Sequence, residues 1–256
     1  MILFTDSPAF ARSIFPKSKP RTPAEAPEKL EWTRPFFNSQ QIENFTVPQH
    51  ESWSFAVVTE ESARSQFDIL LELSRQNPDL PSGIAAITGF SNDLHGFHGR
   101  KWHALPGNLH LCVYFKPEAA LRTHVLPGLI MLGTVSVLQT VDRFPAVKDK
   151  AQIRWLNDIF IGNRKLAGVL TQTQIQGTQV TGALIGIGLN VRAAPVIQSD
   201  KLIAGATCLK EFQPAIDLAQ VIDLLLQKLG QNARLLNAGG YDRLFARYRQ
   251  RSQVLG

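Results

Sequence analysis

Cysteine is nearly absent: Cys112 and Cys208 stand far apart and in no metal-ligand spacing. This excludes a disulfide framework and a thiolate zinc site, and leaves two buried thiols as the reading. Long apolar runs are missing too, with no stretch of about twenty uninterrupted apolar residues to span a bilayer. The opening Met1-Ile2-Leu3-Phe4-Thr5-Asp6 has no basic segment before an apolar run, and Asp6 falls where a signal peptide stays hydrophobic. A soluble cytoplasmic protein without a membrane partner is expected. Acidic residues are the minority charge, giving a net +6, yet the basic residues are dispersed and accompany no nucleic-acid recognition motif. An anionic nucleotide or an acidic protein suits that charge equally well, so nucleic acid is not expected as a partner.

The 256 residues suffice for one large domain, or for a domain with an appendage. Pro16, Pro20, Pro23, Pro27 and Pro35 crowd residues 16–35 among Lys, Glu and Ala, a composition that sustains neither a helix nor a central strand. Residues 1–50 therefore read as a proline-rich N-terminal arm and 51–256 as the main domain. Within the latter, Ser54 to Thr59, Gly83 to Thr88 and His110 to Phe115 read as strands, and Glu61 to Gln76 as an amphipathic helix. Leu121 to Val141 is a long apolar helix interrupted early by Pro127-Gly128. Gln152 to Trp155 and Asp158 to Ile161 are short strands. Lys165 to Gln174 and Val180 to Val191 fit an antiparallel hairpin across Gln176-Gly177-Thr178. Helices over Ala215 to Leu236 and Tyr241 to Tyr248 follow. Hairpins mixed with packed helices predict an α/β (α+β) domain with a mixed, largely antiparallel sheet flanked by helices.

Two segments about fifty residues apart carry chemistry. His98-Gly99-Arg100-Lys101-Trp102 leads to Pro106-Gly107-Asn108-Leu109, and Arg154-Trp155-Leu156-Asn157-Asp158 leads to Arg164-Lys165-Leu166-Ala167-Gly168-Val169-Leu170. The first is a glycine-flexible basic turn ending in an indole. The second joins a carboxylate to a lysine set among small residues. Phosphate seeks backbone N–H donors and cations, adenine seeks an aromatic face, and Mg²⁺ seeks oxygen ligands. A third block, Gly186-Ile187-Gly188-Leu189-Asn190-Val191, suggests a dinucleotide fingerprint, but the third glycine is missing and Arg192-Ala193-Ala194-Pro195 opens no helix.

The ordered blocks resemble the catalytic domain of biotin protein ligases. That family runs a Gly/Arg-rich turn through a tryptophan into Ser-Pro-x-Gly-x-Asn-Leu, then Lys-Trp-Pro-Asn-Asp, Arg-Lys-Leu-Ala-Gly-Ile-Leu and a Gly-x-Gly-x-Asn strand end. Ala206-Thr207-Cys208-Leu209 is similar to its Ala-Thr-Ser-Leu element, so the resemblance covers roughly residues 52–256. It implies a fold like the class II aminoacyl-tRNA synthetase core and an AMP-forming ligase. Biotin and ATP would give biotinyl-AMP, and a lysine of a biotin-carboxyl-carrier-type acceptor would then take the biotin. Mg²⁺ would accompany ATP. No space is expected for the N-terminal DNA-binding winged helix of some members, nor for the C-terminal barrel. A homodimer is the assembly left open.

The resemblance implies Lys165 and Arg100 as catalytic residues, and Ser91, His95, Gly96, Phe97, Gly99, Trp102 and Gly168 as the substrate shell. Arg100, Trp102, Asn157, Asp158 and Asn190 would bind the nucleotide, with Asp158 holding Mg²⁺. Trp155, at alternating spacing, reads as core. One block departs from the family. Against Gly-Arg-Gly-Arg-x-Gly-Arg the chain reads Leu94-His95-Gly96-Phe97-His98-Gly99-Arg100, so His95 and Phe97 replace two bidentate phosphate clamps. Ser91-Asn92 stand where the family has glutamines near biotin, and Glu60-Glu61-Ser62 where it has Ser-Thr-Asn. A ligase for another carboxylic acid, of lipoate or octanoate type, and a catalytically degenerate binding protein are therefore the alternatives.

Overall fold

A computed structural model describes residues 1–21, 31–48, 50, 52–117, 124–154, 156–177, 179–198 and 203–253. Its centre is a mixed sheet. In spatial order the strands are β12 (Ser252–Gln253), β7 (Ala151–Arg154), β8 (Asp158–Ile161), β9 (Arg164–Gln176), β10 (Gln179–Leu189), β6 (Leu109–Phe115), β5 (Ile84–Phe90), β4 (Phe55–Glu61), β1 (Ile2–Thr5), β3 (Glu43–Thr46) and β2 (Lys19–Pro20), with β11 (Gly205–Ala206) beside β9. Pairing is parallel for β1–β4, β4–β5, β9–β11 and β7–β12, and antiparallel elsewhere, as the sequence predicts.

The two faces carry different helices. Helices α1 (Pro8–Ile14), α3 (Val125–Val141), α4 (Leu218–Asn237) and α5 (Tyr241–Arg251) join the larger core, in which Leu129, Leu132, Val135, Leu225 and Leu229 meet inward residues such as Val113, Val169 and Ile185. A smaller core on the opposite face gathers Phe67, Ile69 and Leu70 of α2 (Gln66–Gln76) against Cys112, Tyr114 and Leu184. The functional residues lie on this second face. Helix α2 begins five residues later than the periodicity suggests because Glu61 still belongs to β4, paired with Phe90. Pro127 sits in the first turn of α3, where a missing N–H costs little, so it marks a start and not an interruption. The expected onset at Leu121 lies outside the described residues, as do Trp155 and the Thr178 of the hairpin turn.

The expected arm is, in its first fifteen residues, part of the domain. Strand β1 lies between β3 and β4, and Leu3, Phe4, Ala11, Ile14 and Phe15 are buried. The boundary near residue 50 is one of composition, because this stretch precedes the prolines and carries its own apolar run. Pro20 is accommodated on the outermost strand, where no ladder donor is required. A 3₁₀ turn over Glu31–Phe36 buries Trp32 edge-on against Phe4 and Phe55. The arm assignments of Pro23 and Pro27 lie outside the described residues.

Candidate active site

A single row of paired residues crosses six strands on the α2 face. Asp158 of β8 pairs with Gly168 of β9, Gly168 with Gly188 of β10, Gly188 with His110 of β6, His110 with Thr88 of β5, and Thr88 with Thr59 of β4. Directly opposed residues share a face of the sheet. The row therefore forms a trough with a carboxylate at one end, two bare glycines in the middle and an imidazole beyond. It floors a cavity of about 680 Å³. The turn from Leu94 to His103 and the segment Pro195–Gln198 line its walls.

Lys165 reaches this face through an irregularity in register. Ala167 pairs with Ile159 and Lys165 with Phe160, so Leu166 is an extra residue in β9 and shifts the alternation of side chains. Its ammonium lies 2.9 Å from Asp158 Oδ2 and 5.6 Å from the centre of the Trp102 ring. Asn157 closes the adjoining corner by donating to the Val169 carbonyl at 2.5 Å, while its own carbonyl accepts from Val169 N–H at 3.0 Å. Tyr248 of α5 donates to the Leu156 carbonyl at 2.7 Å and so holds the loop that delivers Asn157 and Asp158.

The glycines are required by the indole above them. A Cβ on Gly188 would fall 2.3 Å from Trp102 Cε2, and one on Gly168 would fall 3.2 Å from Trp102 Cζ3 and 3.3 Å from Asp158 Oδ1. No side chain fits at Gly188 while Trp102 stays in place. The turn that carries Trp102 is a tight antiparallel loop: His95 bridges Lys101, Gly96 N–H donates to the Arg100 carbonyl at 2.7 Å, and Trp102 N–H to the Leu94 carbonyl at 2.8 Å. Its tip places His98 at φ 58° and leaves Phe97 48% exposed. Arg100 is exposed at the rim, its Nε donating to the Phe97 carbonyl at 3.3 Å.

The structure brings together Lys165, Asp158, Asn157, Gly168, Trp102, Arg100, His95, Gly96, Phe97 and Asn190 around the cavity. Gly99 borders a shallower neighbouring depression, and Ser91 lies beneath the loop, accepting from Asp93 N–H at 3.1 Å. Two of the gathered residues have their polar groups engaged elsewhere. Asn190 donates to the Thr207 and Lys165 carbonyls and accepts from Asn108, so its carboxamide is consumed within the protein. His95 points to Asp68 of α2, with Nε2 at 2.9 Å from the carboxylate. Burial opposes protonation of that imidazole, but the Asp68 hydrogen bond and charge prevail, and its pKa lies above the ordinary histidine value.

Three functional neighbours escaped the sequence reading. Asn108, inside a quoted motif, accepts the N–H groups of Val191, Arg192 and Ala193 at 2.9, 3.0 and 3.0 Å and fixes the start of the cavity's outer wall. Asp68 had no signal beyond its place in an amphipathic helix. His110 looked like one more strand residue. Its ring is buried, with Nδ1 at 3.1 Å from the Thr88 carbonyl, and desolvation lowers its pKa to about 4 against the opposing pull of the Thr88 and Gly89 carbonyls. The two cysteines are free and buried, and burial pushes both thiols up, Cys112 furthest, so neither is an activated nucleophile. Among the described residues no cluster of three or more His, Cys, Asp or Glu forms a metal cage, and no helix is long and apolar enough to cross a membrane.

This mixed sheet with its flanking helices is the fold of solved biotin protein ligases. Residues 80–190 match the model of the biotin/lipoate A/B protein ligase family. The chain is 31% identical over 152 residues to the bifunctional ligase/repressor BirA of Bacillus subtilis, covering 59% of this chain and 46% of that one. It is 27% identical over 151 residues to the biotin–[acetyl-CoA-carboxylase] ligase of Paracoccus denitrificans, covering 57% and 61%. The fold superposes on the Aquifex aeolicus biotin protein ligase in complex with biotin and ATP with a TM-score of 0.62, at 20% identity and over 80% and 81% of the two chains. The likeness to the biotin/lipoate A/B protein ligase family is thus carried by residues 80–190, the stretch that holds Trp102, Asp158, Lys165 and Gly168. The chain spans about half the length of the BirA relative that it matches.

Proposed function

We propose that the protein is an ATP-dependent biotin protein ligase. The observation that carries the reading is the Lys165–Asp158 pair, 2.9 Å apart, standing at the end of a glycine-floored trough beneath Trp102. In the first step a carboxylate oxygen of biotin attacks the α-phosphorus of ATP and the bond to pyrophosphate breaks, giving biotinyl-AMP. In the second, a lysine amine of an acceptor carrier domain attacks the acyl carbon and AMP leaves. Lys165 neutralises the reacting carboxylate and then the charge on the departing phosphate, as a mobile point charge oriented by Asp158. Arg100 and the Trp102 ring hold the nucleotide by charge and by an aromatic face. Closure of the Leu94–Trp102 turn keeps water from the anhydride.

The residues fit a magnesium ion that keeps water and phosphate oxygens as its other ligands, since among the described residues the cavity offers the single carboxylate of Asp158 and no cage. When bound, the ion would neutralise phosphate charge. The need for ATP suits action in the cytoplasm. A second reading, activation of a different acid, is favoured by the turn itself: the exposed Phe97 and the Asp68-bound His95 supply no phosphate clamp. Pyrophosphate release measured with biotin, lipoate and octanoate, followed by transfer to a carrier domain, tests both. Release with biotin alone and mass addition to the carrier lysine support the proposal. Release with octanoate or lipoate alone favours the second reading, and none with any acid refutes both.

A further inference from the structure

His110 occupies the trough without serving any step described above. A backbone carbonyl can only accept, so the Nδ1 that faces the Thr88 oxygen at 3.1 Å must carry the proton. That leaves Nε2 as a bare acceptor. Nε2 is buried and has no hydrogen-bond partner among the described residues, although the residue is only 1% exposed and lines the cavity. A second orphan lies across Gly188. Trp102 Nε1 is a buried donor, also without a partner, and would be 2.7 Å from a Cβ placed on Gly188, the residue directly paired with His110. Buried polar groups are satisfied in nearly every native site, and an unmatched pair lining one cavity calls for a ligand that supplies both counterparts.

Resting on the ligase reading, we infer that His110 and Trp102 are specificity-determining residues for a planar ligand group that presents an N–H donor beside an acceptor atom, with the donor on His110 Nε2 and the acceptor on Trp102 Nε1. Two sources share that chemistry: the cyclic urea of biotin and the edge of an adenine ring. A saturated acyl chain has neither, and a dithiolane has no donor. A neutral imidazole is needed for this role, and the depressed pKa of His110 keeps it neutral at physiological pH. The cost of leaving a buried acceptor unmatched works against acids without an N–H. The pair thus discriminates by hydrogen bonding beside a stretch of floor made by Gly168 and Gly188.

The test is ¹⁵N NMR of the histidine rings in the full chain, titrated separately with biotin, 2-imidazolidone, ATP and octanoate. The His110 Nε2 resonance, assigned through its loss in His110→Phe, is expected to move with biotin and with the bare cyclic urea and to stay put with octanoate. Movement with ATP alone assigns the pair to adenine. In calorimetry, His110→Phe should weaken the responsive ligand about tenfold or more and should not weaken octanoate, which no longer leaves a buried acceptor unmatched. An Nε2 signal indifferent to every ligand overturns the inference. Because this readout is taken on the unsubstituted protein and needs no turnover, it holds if the variant fails to fold. It also separates the two claims: a urea response without pyrophosphate release sinks the ligase reading alone, and turnover with an unmoved Nε2 sinks only this one.

Discussion

Deletion of residues 1–14 should unfold the protein, although the segment contains none of the motif blocks. Strand β1 is hydrogen-bonded on both sides, its four residues paired with Phe55–Val58 of β4 and with Glu43–Thr46 of β3. The deletion removes Leu3, Phe4 and Ile14, three large apolar side chains that are no more than 5% exposed, and leaves Phe15 without its neighbours in the core. At about 1.5–3 kcal/mol for each buried side chain, the three together contribute roughly 5–9 kcal/mol. A domain's whole margin is about 5–15 kcal/mol. The loss also strips β4 of one ladder and detaches β3 and β2 from the sheet. Thermal unfolding followed by near-ultraviolet circular dichroism should show no cooperative transition for the truncated chain, or one displaced far below the full-length protein. A sharp transition within a few degrees of the full chain would refute the argument and return the segment to the status of a dispensable arm.

Three further outcomes follow from the site. Gly188→Ala should expel the Trp102 indole, whose rigid ring cannot yield to a Cβ 2.3 Å away, and fluorotryptophan NMR should show that resonance alone displaced, with nucleotide affinity lowered. Asn108→Ala leaves three backbone N–H groups without their acceptor, of which that of Val191 is buried, and should cost about 1–3 kcal/mol in a urea melt. The acid limb of stability should carry a His110 signature. The unfolded chain takes up a proton near pH 6.5 that the native ring refuses until about pH 4. Stability therefore falls as pH drops through that window, by about 3 kcal/mol at its lower end, and urea midpoints of His110→Phe should decline less over the same range. His95 works in the opposite sense, since its raised pKa stabilises the fold below the unfolded value and that contribution is lost as pH rises through the native one.

The order and type of elements from β4 onward, apart from the two-residue strands β11 and β12, were legible because apolar alternation and turn residues there agree with the tertiary pairing. The β9–β10 hairpin is the clearest instance, its register running from Gln176–Gln179 to Ala167–Leu189. The trough was legible in part. Lys165, Asp158, Gly168 and Trp102 announced themselves through motif blocks, whereas the row that joins them depends on register across six strands, which no local pattern encodes. Asn190 illustrates the difference. Its place at a strand end suggested a nucleotide contact, but the three-dimensional neighbours Thr207 and Asn108 take its hydrogen bonds. His95 likewise read as a feeble phosphate contact because Asp68, 27 residues away, could not be assigned to it from the sequence. β1 was missed because the prolines that follow it dominate the composition of the first fifty residues.

The central claim, that Lys165 acts on a carboxylate being adenylated in this trough, is tested most directly by a single-turnover reaction. Enzyme in excess is mixed with ATP, Mg²⁺ and limiting biotin without acceptor, quenched, and assayed for biotinyl-AMP by mass spectrometry. The unsubstituted protein should convert the biotin to adenylate, and Lys165→Ala should form it about 10²–10³ times more slowly while melting cooperatively near the same temperature. Adenylate formed by the lysine variant at an undiminished rate would contradict the account, as would an unsubstituted protein that binds biotin and ATP yet yields none.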